Sequence, residues 1–247
     1  MKISVVTVCY NEEKTIKATI ESVLAQKYDD YEYVIMDGAS SDNTLSIIKG
    51  YSSNNRLKYY SEQDSGLYDA MNKSLSRISG DYVIFMNSGD MFYDDMVLSN
   101  ISPNLDADIV YVDVFRRSTK GNYIQTYKGT QFERIKMMLC GLAFCHQTQF
   151  TRTAIMSKYG FREDHKITAD FDFVVRALSD KLSFKHINRI ICSFDQDGGM
   201  SADMNNYIQM TKEDDASIRE CFPFLYYLTI IPKKLFRLLF RKDYRSR

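Results

Sequence analysis

Neither sign of charge is in excess in this chain of 247 residues, where 32 lysines and arginines meet 32 aspartates and glutamates. No global field therefore recruits nucleic acid, and contact with a polyanion or a membrane has to come from a local patch. No segment reaches the roughly 18 uncharged apolar residues of a membrane span. The apolar run after Lys2 meets Glu12 and Glu13 too soon to be the core of a signal peptide. The cysteines are few, odd in number and scattered: Cys9, Cys140, Cys145, Cys192 and Cys221. Most lie in apolar runs, which suits buried thiols in a reducing compartment better than disulfides or zinc and makes the cytoplasm the expected location. Internal repeats and low-complexity tracts are absent. So are the GxGxxG and GxxxxGK[ST] loops with which many α/β sheets cradle phosphate after the first strand.

What is present is an ordinary globular composition, 45% hydrophobic and 26% charged, enough for one large α/β domain or two small ones. Residues 3–9, 31–36, 57–60 and 82–86 read as strands. Helical spacing follows at Ile16, Ile20, Val23 and Leu24, then at Leu45, Ile47 and Ile48 with Asp42 as a cap, then over 66–78. Strands alternating with helices at this spacing predict an α/β, doubly wound, mainly parallel sheet with right-handed crossovers. Beyond residue 100 the rhythm loosens. Residues 108–114 and 123–127 suggest a hairpin around Lys120-Gly121-Asn122, 133–139 a helix, 148–151 a strand, 168–179 a helix, 184–194 a strand and 203–220 a helix. The chain divides into a regular half (1–100), a looser half (101–222) and a tail (223–247).

The stretch 82–90, YVIFMNSGD, is a buried strand that stops at Asn87-Ser88-Gly89-Asp90. Ligands of open α/β sheets bind beyond the carboxyl ends of the strands, so a carboxylate after a sharp turn points into a site. Read as turn chemistry alone, the same four residues would simply cap the next helix. Tyr10 and Asp37 end the first two strands. A ring and a carboxylate there suit a nucleobase and a ribose, against the plainer reading of a core tyrosine and a turn former. Asp90 holding a divalent cation, Mn2+ or Mg2+, would then neutralise phosphate.

The segments TVCYNEEKTI, VIMDGASSDNT, SEQDSGLYDAMNKSL and GDYVIFMNSGD occur in that order. Together they resemble the nucleotide-sugar-binding half of family 2 glycosyltransferases, enzymes of the GT-A fold, and most of all the bacterial members that build surface polysaccharides. The likeness continues through His146-Gln147 and Thr168-Ala169-Asp170-Phe171-Asp172. It implies that Thr7, Tyr10 and Asp37 line the nucleoside pocket and that Asp90 is the metal-holding acid. Asn11, Asp64 and Asn87 are expected on the nucleotide side with them, and Lys73, on one helix face with Asp69 and Asn72, could reach a phosphate or sugar hydroxyl or simply face solvent. Two positions depart from the family pattern: Gly38 stands where many members have a second acid, and Asn87 and Gly89 stand where others carry acids in the metal motif.

An inverting transfer needs a base for the acceptor hydroxyl. Asp170 occupies the position of the family's catalytic Asp, with Ala169 before it in place of Glu, while Asp172 is expected to pair with Arg176 one turn on. His146 and Gln147 are expected near the diphosphate, metal or acceptor, and Gly199 and Ser201 in a lid loop. The tail combines seven basic residues with an apolar stripe, the pattern of a helix lying on an anionic membrane surface or docked on the domain. The expected activity is transfer of a hexose or N-acetylhexosamine from a nucleoside diphosphate sugar to a saccharide or lipid-linked saccharide, at the inner face of the cell membrane. A sugar nucleotidyltransferase and a non-catalytic carbohydrate-binding relative are the alternatives. The first would want a basic Gly-rich loop where Cys9-Tyr10-Asn11-Glu12-Glu13 is acidic.

Overall fold

The computed structural model describes residues 1–127, 145–195 and 203–227. In chain order the first half runs β1 (Ile3–Cys9), α1 (Ile16–Leu24), β2 (Tyr31–Asp37), α2 (Thr44–Lys49), β3 (Leu57–Ser61), α3 (Leu67–Ser74) and β4 (Tyr82–Phe85). The second half runs β5 (Met91–Phe92), α4 (Val97–Ile101), β6 (Ile109–Arg117), β7 (Tyr123–Gln125), β8 (Gln149–Arg152), α5 (Thr153–Tyr159), α6 (Ala169–Ser179), β9 (Phe184–Asp195) and α7 (Tyr207–Cys221). Strands β3, β2, β1 and β4 pair in parallel, in that order.

β1 and β2 are buried along their whole length, which is why they read as unbroken apolar runs and not as alternation. Their alternate residues feed two cores. Ile3 and Val5 pack with Ile16, Ile20 and Val23 of α1 on one face, and Val6 and Val8 with Met71 of α3 and Phe173 of α6 on the other. Helix α3 stops at Ser74 and not at 78, because the following backbone turns and Ser79 N–H donates to the Glu32 carboxylate. Asn43 holds the N-cap position of α2, while Asp42 accepts the Thr44 N–H at 2.9 Å. At Gly80 the backbone passes so close to β1 that a Cβ would lie 2.7 Å from Ser4 N, a space only glycine fits.

Beyond β4 the sheet becomes mixed. β8 lies antiparallel between β4 and β6, β9 runs parallel to β6, and β5 pairs antiparallel with β9. The expected hairpin is β6 with β7, its second strand short because Tyr127 N–H turns to the Asp113 carboxylate. Strand β5 has two residues, too few for any periodic signal. A third cluster joins Phe171 and Val175 of α6 to Ile218 of α7, and Phe222, Leu225 and Tyr226 pack against it, so the tail's first residues, 223–227, are helical and docked. Cys9, Cys145, Cys192 and Cys221 are free thiols. The helix expected over 133–139, the loop holding Gly199 and Ser201, and the tail beyond 227 lie outside the described residues.

Candidate active site

The carboxyl ends of β1, β2 and β4 open on one side of the sheet. Tyr10, just past β1, is 60% exposed and leaves a ring face bare. Asp37, at the end of β2, is buried and accepts the Ser61 hydroxyl at 2.6 Å and the Ser40 N–H at 3.3 Å. Asn11 ties the two strand-end loops together: its side-chain oxygen accepts the Ser41 N–H at 2.9 Å and its own N–H donates to Ser40 Oγ. Thr7 is fully buried, with its hydroxyl between Met86 O at 2.6 Å and the Tyr33 hydroxyl at 2.9 Å. It therefore braces the pocket from within and does not line it. Lys73 also differs from expectation, since its ammonium pairs with Asp69 of the same helix at 3.0 Å and with Gln63 O, in the loop before it, at 2.9 Å. Asp64 accepts the Gly66 N–H at 2.9 Å through one oxygen.

The chemistry gathers at the end of β4. Asp90 is 6% exposed, and burial pushes its carboxyl up to about 6 against the opposing Gln147 amide, which donates at 2.9 Å. Immediately before Gln147, the His146 ring spans Asn87 Nδ2 at 2.8 Å from its Nε2 and Asp170 Oδ2 at 3.0 Å from its Nδ1. With the Asn87 amide donating, Nε2 is the acceptor and the ring proton sits on Nδ1, directed at Asp170. The other Asp170 oxygen accepts the Tyr68 hydroxyl at 3.2 Å and the Phe171 N–H at 2.9 Å. Burial works to raise this carboxyl, but the hydrogen bond from His146, with the Phe171 and Tyr68 donors, outweighs it and holds Asp170 below the usual carboxylate range. Its side chain keeps 23% of its surface open.

Consecutive residues of the turn His146–Thr148 thus serve two carboxylates, Asp170 and Asp90. Two neighbours went unassigned from sequence. Tyr68 sits in a helical segment whose pattern gave no reason to single it out. Arg117 donates to Gly89 O at 3.1 Å and its charge favours ionised Asp90; the Arg116-Arg117 pair closing β6 was its available signal. Asp172 does pair with Arg176, at 2.7 Å, yet it is fully buried and also accepts the Ser217 hydroxyl at 2.8 Å.

Among the described residues no group of three or more His, Cys, Asp or Glu forms a metal cluster. Around Asp90, however, Asn87 Oδ1 and Gln147 Oε1 are buried without a hydrogen-bond partner. One carboxylate and two amide oxygens form a hard donor set, which fits a cation that keeps waters and substrate phosphate as its remaining ligands.

A doubly wound sheet whose strand ends carry an exposed aromatic ring and buried acids is the setting of a ligand site in α/β proteins, and likeness to known proteins says of which class. Residues 4–163 match the family model for glycosyl transferase family 2, and the chain belongs to that family. It is 28% identical over 206 residues to a PGL/p-HBAD biosynthesis glycosyltransferase of Mycobacterium bovis, covering 80% of this chain and 78% of that protein. It is 30% identical over 194 residues to the chondroitin synthase of Escherichia coli, covering 76% of this chain and 28% of the synthase. Among solved structures, residues 1–349 of Staphylococcus aureus TarS in complex with UDP-GlcNAc superpose with a TM-score of 0.70 at 20% identity, over 89% of this chain and 67% of that one. The mannosyltransferase PcManGT of Pyrobaculum calidifontis, in complex with GDP-Man and Mn2+, gives 0.62 at 17% identity, over 78% and 56%.

Proposed function

We propose that the chain is an inverting, divalent-cation-assisted hexosyltransferase that moves a hexose or N-acetylhexosamine from a nucleoside diphosphate sugar to a saccharide, lipid-linked in the cell, during synthesis of a surface polysaccharide such as O-antigen or capsule, or of a glycolipid. The observation that carries this reading is Asp170: a carboxylate held from three sides, kept ionised, and connected through His146 to the strand end that bears Asp90. The nucleotide sugars bound by the two structural neighbours support the donor class, and the mycobacterial and chondroitin relatives support a glycolipid or polysaccharide product.

The donor's base lies against Tyr10 near Asp37, and its diphosphate lies toward Asp90. A cation held at Asp90 would supply positive charge to the departing diphosphate. The acceptor hydroxyl donates to Asp170 and attacks the anomeric carbon from the face opposite the diphosphate. As the new C–O bond forms, the hydroxyl proton passes to the Asp170 carboxylate, and the electrons of the breaking C–O bond leave with the diphosphate. A positioned base of this kind is worth ~10² to 10⁴ in rate. The basic residues in the sequence beyond 227 support a site at an anionic membrane surface, where a lipid-linked acceptor would be found.

Asp170→Asn is the test. It should bind donor nucleotide as wild type does while transfer falls by at least ~10²-fold, and the wild-type product should carry the inverted anomeric configuration by NMR. Normal transfer by Asp170→Asn, or a product of retained configuration, rejects the mechanism.

A further inference from the structure

Gly38 has a neighbour that explains it. A Cβ at this position would lie 2.5 Å from Asp64 Oδ2, 3.3 Å from Asp64 Cγ and 3.4 Å from Cδ2 of the Tyr10 ring. Gly38 is not among the glycines with positive φ, so backbone conformation does not call for glycine there. Space does: the Asp64 carboxylate already fills the volume that the first atom of any side chain at 38 would need. The carboxylate is also fixed in place. Its Oδ1 accepts the Gly66 N–H at 2.9 Å, and Gly66, with φ 130°, holds a backbone conformation that other residues rarely adopt. Oδ2 is left over Gly38, beside the exposed Tyr10 ring.

We propose that Asp64 delivers, from across the pocket, the carboxylate that a side chain at 38 would otherwise provide, and that its Oδ2 reads the imide N–H of a uracil base stacked on Tyr10. The proposal rests on the nucleotide-sugar reading above and narrows it to donors whose base is uracil or its 5-methyl analogue thymine. A lone acceptor oxygen matches uracil N3–H. Cytosine presents a ring-nitrogen lone pair at that position, as does adenine at N1, and a lone pair facing a carboxylate is repelled. Guanine offers N1–H and N2–H side by side, a pair that calls for both carboxylate oxygens, and here Oδ1 is held by Gly66. Asp64 and a larger residue at 38 exclude each other, so Gly38 and Asp64 form one specificity unit contributed by two loops.

The test is calorimetric titration of the full chain with UDP, CDP and GDP in magnesium buffer, for wild type, Gly38→Ala, Asp64→Ala and the double variant Gly38→Asp with Asp64→Ala. Wild type should bind UDP at least about tenfold more tightly than CDP or GDP. Gly38→Ala pushes aside only a side-chain end, so it should keep the wild-type melting temperature, and like Asp64→Ala it should lose about tenfold in UDP affinity. The double variant should recover most of what Asp64→Ala loses, which a purely structural role for Asp64 does not allow, even if the single variants are less stable. Unchanged UDP affinity in Asp64→Ala, no recovery in the double variant, or a wild-type preference for CDP or GDP overturns the proposal. If wild type binds none of the three diphosphates, the donor reading itself fails, a result separate from these.

Discussion

At the scale of single residues, the position of one proton on His146 decides how well Asp170 serves as a base. The ring donates from Nδ1 to Asp170 and accepts at Nε2 from Asn87, so both of its nitrogens are committed to protein groups. Two isosteric replacements separate these functions. Asn places its amide near the Nδ1 position, whereas Gln reaches the Nε2 position. His146→Gln should therefore leave Asp170 without its donor, and burial, now unopposed by that bond, should raise the carboxyl. Because Asp170 must be ionised to act, the acid limb of kcat/KM should move to higher pH and kcat should fall ~10-fold or more, with donor affinity unchanged. His146→Asn should keep the limb where wild type has it. Identical pH profiles in both variants and wild type would remove His146 from the mechanism. Asp172 is a different kind of acid: buried against Arg176 and Ser217, it holds α6 in place.

At the scale of elements, α7 controls the entrance to α6. The Glu213 carboxylate accepts the backbone N–H groups of Lys166, Ile167 and Thr168 at 2.9, 3.0 and 2.9 Å, just before the helix that carries Asp170. Burial works against its charge, but Gln209 and these N–H donors prevail and hold its carboxyl below the usual range. A lowered native pKa means stability fully present above the ordinary carboxylate range and lost as pH falls through the native value. Glu213→Gln should cost about 2 kcal/mol or more in urea unfolding at pH 7, and the gap to wild type should narrow on acidification. Equal stabilities at pH 7 would show that the anchor is idle. This contact was illegible in the sequence, where 203–220 reads only as a polar helix, because a pairing across more than forty positions leaves no periodic trace. The β1 to β4 strands were legible, since burial on both faces writes continuous apolar runs. Asp90 and Asp170 were expected as site residues from motif and strand end, and the fold brings both against the His146–Thr148 turn. The partners of His146 were not legible, because a residue's position does not say which way its ring points. Thr7 and Lys73 were misplaced for the related reason that short polar and long basic side chains find partners inside the fold.

At the scale of the whole molecule, no helix among the described residues is long and apolar enough to cross a membrane. Leu225 and Tyr226 pack on the domain, whereas Phe224 and Tyr227 are 78% and 67% exposed. A chain ending at 227 should keep its melting temperature and its transfer to a soluble acceptor, and should lose binding to anionic vesicles. Wild-type binding should weaken with salt, since the Debye length is about 8 Å at physiological ionic strength. Wild type that ignores such vesicles at low salt, or a truncated chain that unfolds, would make the tail part of the core. Strand β8, four residues long, is the hydrogen-bonded seam in the described sheet between the parallel half and the strands β6, β9 and β5. Seen as a sequence of events during synthesis, the parallel half has all its strands before residue 149 exists, and it can close from near neighbours. The turn that carries His146 leads into β8, so its contact with Asp170 forms after the parallel half is complete. On the proposed mechanism, a half-made chain would hold a donor and have no means yet to spend it, on an acceptor or on water.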